Sequence, residues 1–174
     1  MSRGSPYLLK AESTALVAVD MQDPFLAPIW RREPLIASVR LLVRCASILR
    51  VPVISTTQYS EKMGGPTGEL RPLLPRLHPP FDKLCFSCFS EPAFAAEIGR
   101  TGRKQILLCG VEAHICVAQT ALEMLHHGFQ VHIAADAVSS RSEENRRIGL
   151  ERVRQAGCVI TCVESAVYEW LERS

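Results

Sequence analysis

Three residues of this chain have the types needed for acyl transfer: Asp20, Lys83 and Cys116. A thiolate attacks carbonyl carbon, a carboxylate can take the thiol proton, and an ammonium steadies the negative charge that develops. Each has a plainer reading when taken alone. Asp20 follows the apolar run Ala15–Val19, where a carboxylate is costly unless something pairs with it, but it could also serve as a cap or turn residue. Lys83 alone reads as an exposed lysine. Cys116 alone reads as a small buried hydrophobe. Position favours more for Cys116: it sits five residues past Val111 and opens a helical pattern, whose free N–H groups and positive dipole end favour thiolate over thiol.

The elements that must position these residues alternate. Ala15–Val19 reads as a buried strand ending at Asp20. Leu35, Val39, Leu42, Val43, Ala46 and Leu49 recur at helical spacing between Pro34 and Arg50, with Pro34 suited to the first turn. Val51–Thr56 reads as a second strand with Pro52 at its entrance. Gln58 to Pro80, rich in Gly and Pro, is the longest irregular stretch, and long ordered loops are usually functional. A short third strand is expected near Phe81–Phe86. Ser90 is expected to cap a helix that starts at Glu91–Pro92 and stops at Gly102. Ile106–Cys109 is the fourth strand, and Cys116–His127 a helix closed by Gly128. Val131–Ala135 is the fifth strand. Ser140 and Glu143 have capping-box spacing for a helix to Gly157. Cys158–Val163 is the sixth strand, lining the core with Cys158 and Cys162, and a last helix follows.

Strands apolar on both faces, alternating with helices, predict a three-layer α/β/α domain of Rossmann-like type. It has a six-stranded parallel sheet and one domain over 1–174. In such sheets ligands bind beyond the carboxyl ends of the strands, at the switch in strand order. The places to look are after Asp20, after Thr56 and after Gly110.

Composition narrows the function classes. The net charge of +2 is too small for an electrostatic nucleic-acid binder, and the arginine pairs Arg31–Arg32 and Arg146–Arg147 sit among acids as solvated faces. No apolar run approaches the ~18 residues of a membrane span. Met1 to Thr14 carries Arg3 and Lys10 without an apolar core, which does not read as a secretory signal. Seven cysteines, an odd number, fit reduced thiols in a cytoplasmic compartment.

Four strings carry a family resemblance: DMQDPF at 20–25, FDKLCFSCF at 81–89, GVEAHICV at 110–117 and DAVSSRSEEN at 136–145. In this order and spacing the chain resembles the isochorismatase-like cysteine hydrolases, most of all the small isochorismatase-domain proteins. The resemblance implies a catalytic triad of Asp20, Lys83 and Cys116. It also implies a cis peptide between Val111 and Glu112, an oxyanion hole from the N–H groups of Glu112 and Cys116, and a homo-oligomer, dimer or larger. Phe25, Gln58, Tyr59 and Ile115 are expected in the substrate pocket. Nicotinamidases of this superfamily carry an Asp-x-His metal motif after strand two. Here that stretch reads Thr56–Thr57–Gln58–Tyr59–Ser60, with His78 the nearest histidine downstream, so neither a metal nor another cofactor is expected.

Rival signals are weaker. Cys85-x-x-Cys88 has redox or half-zinc spacing, yet no second Cys/His pair accompanies it. His126–His127 ends a helix, where imidazoles suit the dipole. The favoured function is a cysteine hydrolase acting on a small amide, carbamoyl or related carbonyl through a Cys116 thioester. The alternative is a non-catalytic oligomeric scaffold or binding protein of the same fold. Nicotinamidase and isochorismatase proper are less favoured, since a vinyl ether needs no acyl-enzyme.

Overall fold

The computed structural model describes residues 5, 7–75 and 79–173. Arg3 and His78 therefore lie outside the described residues. Six parallel strands form one sheet: β1 (Thr14–Val19), β2 (Val53–Gln58), β3 (Phe81–Lys83), β4 (Gln105–Val111), β5 (Gln130–Ser139) and β6 (Val159–Thr161), in the order β3-β2-β1-β4-β5-β6. The helices are α1 (Asp23–Leu26), α2 (Arg32–Ile48), α3 (Ser60–Met63), α4 (Pro92–Thr101), α5 (Ala118–His126), α6 (Glu143–Gln155) and α7 (Val163–Leu171). Among the described residues, no helix is long and apolar enough to cross a membrane.

Strand alternation divides the core in two. Leu16, Ala18, Leu107 and Ala134 pack with α2 and α7, while Ala15, Val17, Val19, Ile106, Leu108 and Ile133 pack with α4, α5 and α6. Both faces of the sheet are thus covered, which is why the central strands read as unbroken apolar runs. The order reverses between β1 and β4, so the loops leaving these two strands part at their carboxyl ends and leave a crevice.

Gly110 makes that junction possible. Its φ is +110°, and a Cβ there would lie 2.1 Å from the Val19 carbonyl oxygen, so only glycine lets β4 run this close to the end of β1. The Val111–Glu112 peptide bond is cis. A π-helical turn follows at Ala113–Val117 and leads directly into α5. Gly149 of α6 lies against that turn: a Cβ there would meet His114 Cα at 2.8 Å.

Several boundaries differ from the sequence reading. The helix expected to open at Cys116 opens at Ala113, so Cys116 lies inside the π turn. Glu91, not Ser90, caps α4 by accepting from the Ala93 N–H, because Ser90 Oγ donates instead to Glu123. Ser142, not Ser140, caps α6 through the Asn145 N–H, because Ser140 Oγ is paired with His114 Nδ1. β5 runs to Ser139 through a register shift in its pairing with β4, four residues past the expected end. β6 stops at Thr161, and Cys162 is the half-buried cap of α7 instead of a core residue. The Gln58–Pro80 stretch contains α3 and a short 3₁₀ turn at Arg71–Leu73.

Candidate active site

Asp20 directly follows β1, in the left-handed region with φ 48°, and is 2% exposed. Its carboxylate is held at both oxygens. Thr56 Oγ1, on the neighbouring β2, donates to Oδ1 at 2.7 Å, and Lys83 Nζ donates to Oδ2 at 2.7 Å. The Asp20 N–H in turn donates to Thr56 Oγ1 at 3.3 Å. Lys83 reaches this point because β3 pairs in parallel beside β2, setting Lys83 opposite Gln58.

The Lys83 side chain is fully buried, yet every ammonium proton has an acceptor: Asp20 Oδ2, Gln58 Oε1 at 2.6 Å and the Cys85 carbonyl at 3.3 Å. Burial pulls its pKa down, but the neighbouring Cys88, Asp20 and Cys116 outweigh that, and the net direction is upward. Lys83 is a fixed cation.

Cys116 is 8% exposed and faces the same cluster. Burial pushes its thiol pKa well up, the charge of Asp20 and a hydrogen bond to it push it further, and the Lys83 cation only partly offsets them. The helix start at this position favours the thiolate, but burial and the Asp20 carboxylate push the other way and set the net direction. Cys88, wholly buried, is raised to about 11 by burial and then by Asp20. Its sulfur lies 3.6 Å from Thr56 Oγ1.

A cleft with about 70 Å³ of free space opens over these groups, lined by Asp20, Phe25, Gln58, Phe86, Val111, Glu112, Ile115 and Cys116. The expected residues Phe25, Gln58, Glu112 and Ile115 are therefore present, and Lys83 lies behind them. Tyr59 is not. Its backbone is in the left-handed region, its N–H is tied to the Lys83 carbonyl at 3.0 Å, and its ring is covered by Lys62 Nζ at 4.9 Å. Glu112 Oε2 accepts from the Arg141 N–H at 3.0 Å, anchoring the cleft wall to the loop after β5.

Sequence reasoning missed Thr56, Gln22 and Phe86. Gln22 is fully buried: its Oε1 accepts from the Gln58 N–H at 2.7 Å, and its Nε2 donates to the Gly64 carbonyl at 2.7 Å. It stands two residues past Asp20, within the DMQDPF string. Phe86 had been assigned to β3, which ends three residues earlier at Lys83.

A larger cleft of about 230 Å³ lies elsewhere, lined by Trp30, Arg31, Asp136 and Arg146 among others, and holds none of the predicted site residues. Arg146 is occupied there with the carbonyls of Ala135 and Val138. Among the described residues, no group of three or more His, Cys, Asp or Glu side chains is arranged to hold a metal ion.

This fold matches a known class. The Isochorismatase domain model covers residues 14–165, and the chain belongs to that family. It is 38% identical to the secreted isochorismatase effector Isc1 of Phytophthora sojae over 90% of this chain and 76% of the relative. It is 36% identical to isochorismatase domain-containing protein 2A of Mus musculus, over 97% and 80%. Among solved structures it resembles MAR1 ribonuclease from Caenorhabditis elegans, with a TM-score of 0.90 at 32% identity, covering 96% of this chain and 85% of that one. It also resembles the YcaC gene product of Escherichia coli, an octameric hydrolase of unknown specificity, with a TM-score of 0.90 at 26% identity, over 98% and 85%. The family's fold supports a hydrolase role.

Proposed function

We propose that this chain is a cysteine hydrolase that opens a small amide, carbamoyl or related carbonyl compound through a thioester on Cys116. The observation that carries this reading is the convergence of a thiol, a carboxylate and a buried ammonium beneath one cleft, with the carboxylate bonded to the ammonium at 2.7 Å.

The chemistry follows from the protonation states. Asp20 takes the Cys116 proton as the sulfur attacks the carbonyl carbon, which makes a nucleophile of a thiol whose ionisation burial opposes. The oxygen that gains charge is held by the backbone N–H groups of Glu112 and Cys116, a contribution of about 3–4 kcal/mol per donor in a comparable hydrolase. Asp20 then hands its proton to the departing amine, the C–N bond breaks, and a thioester remains. Water, deprotonated by the same carboxylate, releases the acid and restores the thiol. Lys83 has no proton to spare, so it acts by charge and by fixing Asp20.

Phe25, Phe86 and Ile115 make the cleft walls largely apolar, which suits a compact substrate with a hydrocarbon or aromatic flank. The chain is also expected to form a homo-oligomer, as YcaC of Escherichia coli does. Sedimentation at micromolar concentration checks this, and a monomer counts against it. The catalytic reading is tested by incubating the protein with a panel of small amides and carbamoyl compounds and searching by mass spectrometry for an acyl adduct on Cys116. A panel that yields no adduct and no turnover leaves the non-catalytic scaffold as the better account.

A further inference from the structure

Gln58 lines the cleft, where a side-chain amide would ordinarily be assigned to substrate recognition. Both ends of that amide are already engaged by the protein. Oε1 accepts from Lys83 Nζ at 2.6 Å, and Nε2 donates to the Leu84 carbonyl at 2.9 Å. An ammonium can only donate and a carbonyl can only accept, so the two partners fix which end of the amide is which. The backbone is held as firmly: the Gln58 N–H donates to Gln22 Oε1 at 2.7 Å, and the Gln58 carbonyl accepts from Gln22 Nε2 at 3.2 Å.

We propose that Gln58 is a positioning residue, whose doubly anchored amide holds the Lys83 ammonium against Asp20. This deepens the triad reading and rests on it. Of the three acceptors around Lys83 Nζ, the Cys85 carbonyl at 3.3 Å is the longest, so Asp20 and Gln58 set where the charge sits. Gln58 is neutral, and it therefore gives the ammonium a second short bond without a second carboxylate that would oppose ionisation of the Cys116 sulfur. Gln22, reaching from the segment just after Asp20, ties β1 and β2 together so that acceptor and carboxylate keep their separation.

The test is the pH dependence of Cys116 alkylation by iodoacetamide, read at that residue by mass spectrometry, which needs no known substrate. Gln58→Met keeps the length and removes the amide, and Gln58→Asn keeps an amide too short to reach. Both are expected to fold, by far-UV circular dichroism. Both are expected to slow Cys116 labelling about tenfold at each pH across the neutral range, the displacement that a rise of about one pH unit in the thiol's ionisation gives. Lys83→Met serves as the reference for complete loss of the cation. Labelling slowed by Lys83→Met but by neither Gln58 variant overturns the positioning role alone. Labelling slowed by none of the three overturns this role and the triad reading together.

Discussion

Lys83 and His132 are two ionisable side chains buried in the same sheet, and the fold treats them in opposite ways. Lys83, on edge strand β3, is fully enclosed, keeps its charge and has three acceptors. His132, in β5 between Leu107 and Val159, is 1% exposed, and neither ring nitrogen has a hydrogen-bond partner among the described residues. Burial alone drives its pKa down from 6.5 to about 4, so it stays neutral where an ordinary histidine begins to titrate. A buried charge surrounded by partners signals a site built for chemistry. A buried polar group without partners signals a residue kept for its shape, and its cost appears only when pH tries to charge it.

The largest effect expected at the partnered end is on turnover. Cys116→Ala removes the nucleophile and leaves only background, while Asp20→Asn, which can accept no proton, lowers kcat by about 10²–10⁴-fold. Steady-state kinetics on any substrate found in the amide panel checks both. Cys116→Ala should retain the native unfolding midpoint, since it removes one sulfur at the floor of an open cleft. A Cys116→Ala enzyme with undiminished turnover breaks the comparison at its root.

The next effect is on stability. Lys83→Met strands the Asp20 carboxylate without its cation and is expected to cost about 3–5 kcal/mol in urea unfolding, as when one member of a buried pair is removed. Adding Asp20→Asn to the same chain should recover most of that loss, because the stranded charge is then gone. Equal destabilisation of single and double variants would mean that the lysine stem, not its charge, holds the site.

The fold was more legible in the sequence than this contrast was, and the limits have physical causes. The alternation of apolar runs and helices located every strand, and the switch-point rule pointed to the ends of β1, β2 and β4. Asp20, Lys83 and Cys116 were singled out together by the family resemblance, since Lys83 alone reads as an exposed lysine and Cys116 alone as a small buried hydrophobe. Thr56 was not, since a threonine in a β-branched run already has a reason to be there. Tyr59 was misplaced because a one-residue left-handed turn reverses the chain after Gln58, a choice no periodicity records. The Ser90 and Ser140 caps failed for a shared reason: each hydroxyl found a distant partner, Glu123 and His114, that local spacing cannot reveal. The upward direction of the Cys116 pKa is not what a helix N-terminus alone favours, because burial and Asp20 act through space while the dipole is read along the chain.

The smallest effect belongs to the unpartnered end and is read as a pH limb. The unfolded chain binds a proton on His132 near 6.5, and the folded chain only near 4, so between these values the unfolded state holds more protons. The stability that His132 permits is therefore complete above pH 6.5 and declines as pH falls toward 4, at about 1.4 kcal/mol per pH unit and roughly 2–3 kcal/mol in total. His132→Leu, of similar volume, removes the titrating group together with its two unsatisfied nitrogens. It should be neutral or stabilising at pH 7.5 and should flatten the acid limb relative to the parent chain, measured as urea midpoints from pH 7.5 to 4.5. Activity should not change, since His132 is absent from the cleft lining. If the variant keeps the parent's full acid slope, the lost stability comes from carboxylates elsewhere, and His132 is not the silent counterpart of Lys83. If instead it loses several kcal/mol at neutral pH, the imidazole has a partner in solution, and the two ends of the comparison are more alike than their hydrogen bonds suggest.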